Sequence, residues 1–132
     1  MKILITGVFG FVGNNIFFHL KKKFDVLGIG RKKNFKLKIH NRLINKKVTK
    51  TNLVNLNFLP DIILHCAGSS SVIRSYENKK LDFTKNVETT KEIVKFIQYC
   101  KIKPRIVFFS SAAVYGNNCN KNRKKTKPIS PY

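Results

Sequence analysis

In Thr6-Gly7-Val8-Phe9-Gly10-Phe11-Val12-Gly13, glycine recurs at every third position between a short apolar run and a segment of helical periodicity. That spacing suits a turn whose main chain meets a phosphorylated ligand directly. Gly7 permits the tight turn, Gly10 lets the backbone approach a pyrophosphate, and Gly13 lets the following helix pack close to a sheet. Amides at the helix start, with the positive end of its dipole, then face the paired phosphates. The position of the motif, after an N-terminal strand and before an amphipathic helix, favours a dinucleotide site over a plain glycine-rich turn. Gly7, Gly10, Phe11, Val12 and Gly13 are therefore the candidate cofactor-binding residues of this loop.

Dinucleotide sites of this kind usually carry an acidic residue about 20 positions further on, where it binds the adenosine ribose hydroxyls. Counting from Gly10, that position is Gly30, which has no side chain, and Arg31 follows. The pair predicts NADP over NAD, with Arg31, and Lys32 or Lys33 beside it, facing the 2′-phosphate. The alternative, in which Arg31 only belongs to an exposed basic run, stays open because Lys and Arg are so frequent in this chain.

These groups need elements to position them, and the apolar pattern supplies an alternating series. Ile3, Leu4 and Ile5 form a short continuous run, as expected of a strand buried on both faces. Phe11, Val12, Ile16, Phe17 and Leu20 recur at helical spacing, which predicts a helix from Phe11 to Lys23 that ends in three cations suited to a helix C-terminus. Val26 to Ile29 reads as a second strand. Residues 31 to 47 are basic and irregular, with a short third strand expected near Leu43 to Val48. Asn52 to Leu59 suggests one or two helical turns before Pro60, and Asp61 to Cys66 is a further apolar strand running into Ala67-Gly68. Leu81, Phe83, Val87, Ile93, Val94, Phe96 and Ile97 form a helical stripe reaching about Cys100, and Ile106 to Phe109 makes the next strand. Such alternation predicts a single α/β domain with a doubly wound parallel Rossmann sheet in the order 3-2-1-4-5. Gly116 to Lys127 reads as a mobile Asn- and Lys-rich loop.

Composition sets the outer limits. A chain of 132 residues has room for one modest core, so no second, substrate-binding domain fits within it. Its 27 Lys+Arg against 6 Asp+Glu give a formal charge of +21, which would draw it to nucleic acid, anionic membranes or phosphorylated ligands. The excess is spread over many segments rather than along one regularly spaced helix, so a solvated basic surface is favoured over a specific nucleic-acid site. Cys66, Cys100 and Cys119 show no CxxC spacing and no matching histidine pattern, which points to neither a disulfide framework nor a metal site. No apolar run approaches the roughly 20 residues needed to span a bilayer. Glycines interrupt the N-terminal apolar stretch and no small-residue cleavage site follows it, so the expected location is cytoplasmic.

Together these segments resemble the NAD-dependent epimerase/dehydratase family, the extended short-chain dehydrogenases that include UDP-glucose 4-epimerase. Besides the glycine loop, the resemblance rests on Pro60 to Gly68 with its His65-Cys66-Ala67-Gly68 ending, on Ser75, Asn86-Val87 and Thr90, and on Ser110-Ser111-Ala112-Ala113-Val114-Tyr115-Gly116. It implies that Cys66, Ala67 and Gly68 line the cofactor and that Asn86 matches an active-site asparagine. It further implies a catalytic hydroxyl at Ser111, four residues before Tyr115, and a general acid/base at Tyr132 in Pro128-Ile129-Ser130-Pro131-Tyr132. The family's lysine four positions beyond that tyrosine and its C-terminal substrate domain have no counterpart in these 132 residues. On this resemblance the chain is the front part of an NAD(P)-dependent enzyme acting on a nucleoside-diphosphate sugar, whose full-length form pairs as a homodimer through helices such as the one containing residues 81 to 100. A catalytically inactive nucleotide-binding remnant is the alternative, and a basic nucleic-acid-binding module is a third reading. Read from residue type alone, Cys66 is a buried small hydrophobe and His65 a hydrogen-bonded structural residue, while Ser69, Ser70 and Ser71 form a solvated loop, with contact to substrate or cofactor ribose as the alternative.

Overall fold

The computed structural model describes residues 1–32, 41–116 and 128–132. Lys33, Cys119 and the expected loop through residues 117 to 127 lie outside them. Five parallel strands, β1 (Lys2–Thr6), β2 (Asp25–Gly30), β3 (Leu43–Asn45), β4 (Ile62–His65) and β5 (Arg105–Phe108), form one sheet in the order β3-β2-β1-β4-β5. This is the doubly wound arrangement that the alternation of apolar runs predicts.

The continuous apolar run of β1 is explained by burial on both faces. Leu4 points into a cluster with Leu27, Ile29, Leu53, Ile63, Ile93 and Phe96, while Ile3 and Ile5 point the other way, to Val8, Phe17 and Val26. Helix α1 (Phe11–Leu20) covers the second face through Phe17, and α2 (Lys50–Val54) and α5 (Thr89–Tyr99) cover the first through Leu53, Ile93 and Phe96. On β5 Ile106, Val107 and Phe108 remain exposed, as expected of the sheet's outer strand among the described residues.

One expectation is corrected. Helix α1 stops at Leu20 rather than Lys23, and Lys21 to Lys23 form a turn in which the Lys23 and Phe24 amides donate to the Leu20 carbonyl. Lys21, the C-cap, places its ammonium 4.6 Å from the Phe18 ring centroid. The stripe expected from Leu81 to about Cys100 lies on one continuous helical run made of α4 (Lys79–Phe83), a π-helical turn (Thr84–Glu88) and α5, and a separate short helix, α3 (Val72–Glu77), precedes it. Asn78, with φ −145 and ψ 81, ends α3 and caps α4 by accepting from the Leu81 amide at 2.8 Å. No helix among the described residues is long and apolar enough to cross a membrane.

Candidate active site

Because β2 lies on one side of β1 and β4 on the other, chain connections leave the sheet in opposite directions at the C-terminal ends of β1 and β4. A crevice must open there. It holds two cavities. One, of about 520 Å³, is lined by Gly7, Phe9, Gly10, Gly30, Arg31 and the 66–71 loop. The other, of about 620 Å³, is lined by Val12, His65, Asn86, Phe108, Ser111 and Tyr132 among others. Cys66, Ala67, Gly68, Ser69 and Ser70 border both, so the loop after β4 is their common wall.

The first cavity is a cradle built from bare main chain. Gly7 adopts φ +70, and a Cβ at Gly13 would lie 2.5 Å from the Gly7 carbonyl oxygen, so only glycine lets α1 sit this close to the β1 turn. Gly10 is the N-cap of α1 and offers no side-chain acceptor to the first-turn amides. Those amides and the helix dipole are therefore left for an anion, and the residues present fit a dinucleotide pyrophosphate. Arg31 lines this cavity as expected. Lys47, Arg74 and Lys85 join it, and no carboxylate lines it among the described residues. Phe11 is 87% exposed and borders neither cavity, so its side chain is not brought to the site; Val12 faces the second cavity instead.

Behind the wall runs a buried chain of hydrogen bonds. Register places Thr6 beside His65, and Thr6 Oγ1 lies 2.6 Å from His65 Nδ1, while His65 Nε2 lies 3.0 Å from Thr90 Oγ1. The Thr90 hydroxyl donates to the Asn86 carbonyl at 2.6 Å, so it must accept from Nε2–H. Nδ1 is then the bare nitrogen that accepts from Thr6, whose oxygen receives the Ala67 amide at 3.4 Å. One neutral tautomer satisfies every link. Burial accordingly lowers the imidazole from its ordinary 6.5 to about 4. Burial also raises the Cys66 thiol to about 11, which leaves it protonated and supports its reading as a small hydrophobe.

At the π turn two threonine hydroxyls also bond main-chain carbonyls: Thr90 donates to Asn86 O, which accepts the Thr89 amide as well, and Thr89 donates to Thr84 O at 3.3 Å. Thr90→Val should therefore cost about 1–3 kcal/mol, since it strips an acceptor from His65 and a donor from Asn86, whereas Thr90→Ser should cost far less. Urea unfolding of the two variants beside wild type checks the difference.

Ser111 and Tyr132, expected as the reacting pair, border the same cavity. Ser111 caps a short 3₁₀ turn (Ala112–Tyr115), its hydroxyl accepting from the Ala113 amide at 3.2 Å. The Tyr76 phenol donates to the Ile129 carbonyl and so ties α3 to the segment that carries Tyr132. Asn86 borders the same cavity, its side-chain nitrogen donating to Asp82 and its oxygen accepting from the Ser69 amide. Ser71 caps α3 through the Arg74 amide, and Ser75 is buried with its hydroxyl on the Val72 carbonyl.

A family model described as "NAD dependent epimerase/dehydratase family" matches residues 3–132. The chain belongs to that family. Among relatives, CDP-paratose 2-epimerase of Salmonella typhi is 29% identical over 89% of this chain and 38% of its own length. A Bacillus subtilis protein named as an uncharacterized UDP-glucose epimerase is 31% identical over 100% of the chain and 47% of its own. Similar solved folds include MoeE5 in complex with UDP-glucose and NAD, with a TM-score of 0.85, 24% identity and coverage of 100% of this chain and 44% of that one. UDP-glucose-4-epimerase from Stenotrophomonas maltophila, with bound NAD and formylated UDP-arabinopyranose, gives a TM-score of 0.83, 21% identity and coverage of 100% and 44%. The chain thus spans less than half the length of the relatives it matches. Within this epimerase/dehydratase fold, sequence reading found the glycine cradle, Arg31 and the 66–68 wall, but missed Lys47, Arg74, Lys85, Asp82 and the roles of Thr6 and Thr90. For Asp82 a signal existed, because it stands four residues before Asn86 and so shares its helix face.

Proposed function

We propose that this chain is the coenzyme-binding part of an enzyme that moves hydride at a carbon of a nucleoside-diphosphate sugar. The observation that carries the reading is the main-chain cradle at Gly7, Gly10 and Gly13, set against a second cavity that holds Ser111 and Tyr132 across one shared wall. A nicotinamide coenzyme, when bound, supplies a hydride acceptor and donor. Gly7, Gly10 and the first-turn amides of α1 would hold the pyrophosphate, and the 66–70 loop, which lines both cavities, would flank the coenzyme where its nicotinamide meets the sugar carbon. The Ser111 hydroxyl orients the sugar hydroxyl or keto oxygen at the reacting carbon, and the Tyr132 phenol takes or returns the proton of that oxygen. Epimerisation, dehydration and reduction all start from this oxidation, and the named relatives and structures support a nucleotide-sugar substrate.

Within this reading NADP is the preferred coenzyme. Gly30 offers no carboxylate to ribose hydroxyls, and Arg31 and Lys47 line the same groove, where a 2′-phosphate would find two cations. The solved neighbours whose names mention a coenzyme carry NAD, so the preference is a particular claim about Arg31. Saturation-transfer NMR with NAD, NADP and UDP-glucose tests the whole reading, which fails if well-folded protein shows transfer to neither coenzyme. For the preference, NADP should bind about tenfold tighter than NAD, and Arg31→Ala should erase the gap. Equal or tighter binding of NAD by wild type ends the NADP claim.

A further inference from the structure

Asp82 is the buried carboxylate that the reading above leaves without a task. It is 4% exposed, borders the cavity of Ser111 and Tyr132, and gives Oδ2 to the Asn86 amide nitrogen at 3.1 Å. Its Oδ1 is buried with no hydrogen-bond partner among the described residues. Such a group is costly to bury, so a fold that keeps it needs it for something. An amide such as Asn86 can sit either way round. A carboxylate only accepts, so Asp82 forces the Asn86 nitrogen toward itself and the oxygen the other way. That oxygen then accepts the Ser69 amide at 2.7 Å. It also stands where a Cβ at Gly68 would lie, 2.8 Å away, so this one orientation shapes the 68–70 loop.

We propose that Asp82 is a positioning residue that fixes the coenzyme-facing conformation of the wall between the two cavities by dictating the orientation of the Asn86 amide. The inference rests on the coenzyme reading of the groove and adds a residue to it. Asp82→Ala frees the amide to turn, and coenzyme affinity should fall about tenfold; Asp82→Asn can still present an oxygen to Asn86 and should restore most of the affinity. Asn86→Asp sets two carboxylates against each other, so its binding should be weak at pH 8.5 and recover toward pH 6.5 as the pair comes to share a proton. Adding Asp82→Asn to Asn86→Asp rebuilds the contact with donor and acceptor exchanged, and this double variant should bind well across that range without the pH dependence.

The readout is the dissociation constant of NADP or NAD by calorimetry, with circular dichroism as the fold check. Loss in Asp82→Ala with rescue by Asp82→Asn, together with the pH profile of Asn86→Asp and its repair in the double variant, is the expected result. If Asp82→Ala does not fold, the comparison of Asn86→Asp with the double variant decides. A double variant no better than Asn86→Asp, in binding or in folding, overturns the proposal, as does Asp82→Ala that binds like wild type. Failure of wild type to bind any coenzyme would instead bring down the reading of the groove, and this inference with it.

Discussion

Gly7→Val is expected to destabilise the protein by about 2–5 kcal/mol and to abolish coenzyme uptake. Gly7 has φ +70, a conformation that costs a residue with a side chain about 1–2 kcal/mol, and more for a branched one. A Cβ there would stand 2.6 Å from the Ala67 nitrogen and 2.7 Å from the Ala67 Cα, both main-chain atoms. Neither side can give way easily. The Gly7 amide is fixed on the Ile29 carbonyl at 2.8 Å and the Cys66 amide on the Thr6 carbonyl at 3.2 Å, so the clash adds about 1–3 kcal/mol of overpacking. Against a total of about 5–15 kcal/mol for a domain of this size, that is a large loss. The midpoint of urea unfolding measures it, and a variant that melts with wild type would show that the turn is not held as described.

Acid should weaken the fold through His65. Burial holds its imidazole at about 4 in the folded chain against an ordinary 6.5, so between these values the unfolded state binds the extra proton. The stability that neutral His65 confers is complete above about pH 6.5 and drains away as pH falls toward 4, to a ceiling of about 3 kcal/mol at roughly 1.4 kcal/mol per pH unit. Protonation also turns Nδ1 into a donor facing the Thr6 hydroxyl, so the hydrogen-bond chain must reverse at that link. Carboxylates titrate near the lower end of the window. The informative quantity is therefore the difference between wild type and His65→Asn, which should lose the His65 part of the slope. Parallel stability curves for the two proteins from pH 7 to 4.5 would exclude His65 as the origin.

How much of this was legible in the residues depended on the range of the interactions involved. The strand order followed from apolar runs short enough to be strands and alternating with helical periods, because two-sided burial of β1 and β4 leaves a continuous apolar signature. Gly7 and Gly13 were legible because close approach and left-handed backbone leave glycine almost alone as a solution. What stayed hidden depends on partners distant in sequence. The pairing of Thr6 with His65 is created by strand register across 59 residues, and no local pattern announces it. Arg74 and Lys47 reach the groove from loops and helix starts far from Arg31, in a chain where cations occur everywhere. The π turn at Thr84–Glu88 is of the same kind: the apolar stripe of Leu81 to Ile97 runs through it, and nothing in the local pattern marks it.

Calorimetric titration of NAD and NADP into wild type and into Gly10→Glu puts the central claim to its most direct trial. A glutamate at the N-cap of α1 would bring a negative charge to the amides that await the pyrophosphate, with its Cβ 3.3 Å from the Gly7 carbonyl oxygen, a close contact that a shift of a few tenths of an ångström relieves. Wild type should bind at least one of the two coenzymes, and the variant, folded to the same extent, should bind it at least about a hundredfold more weakly. Equal affinities in the two proteins would mean that the phosphates lie elsewhere, and the assignment of this loop would be wrong.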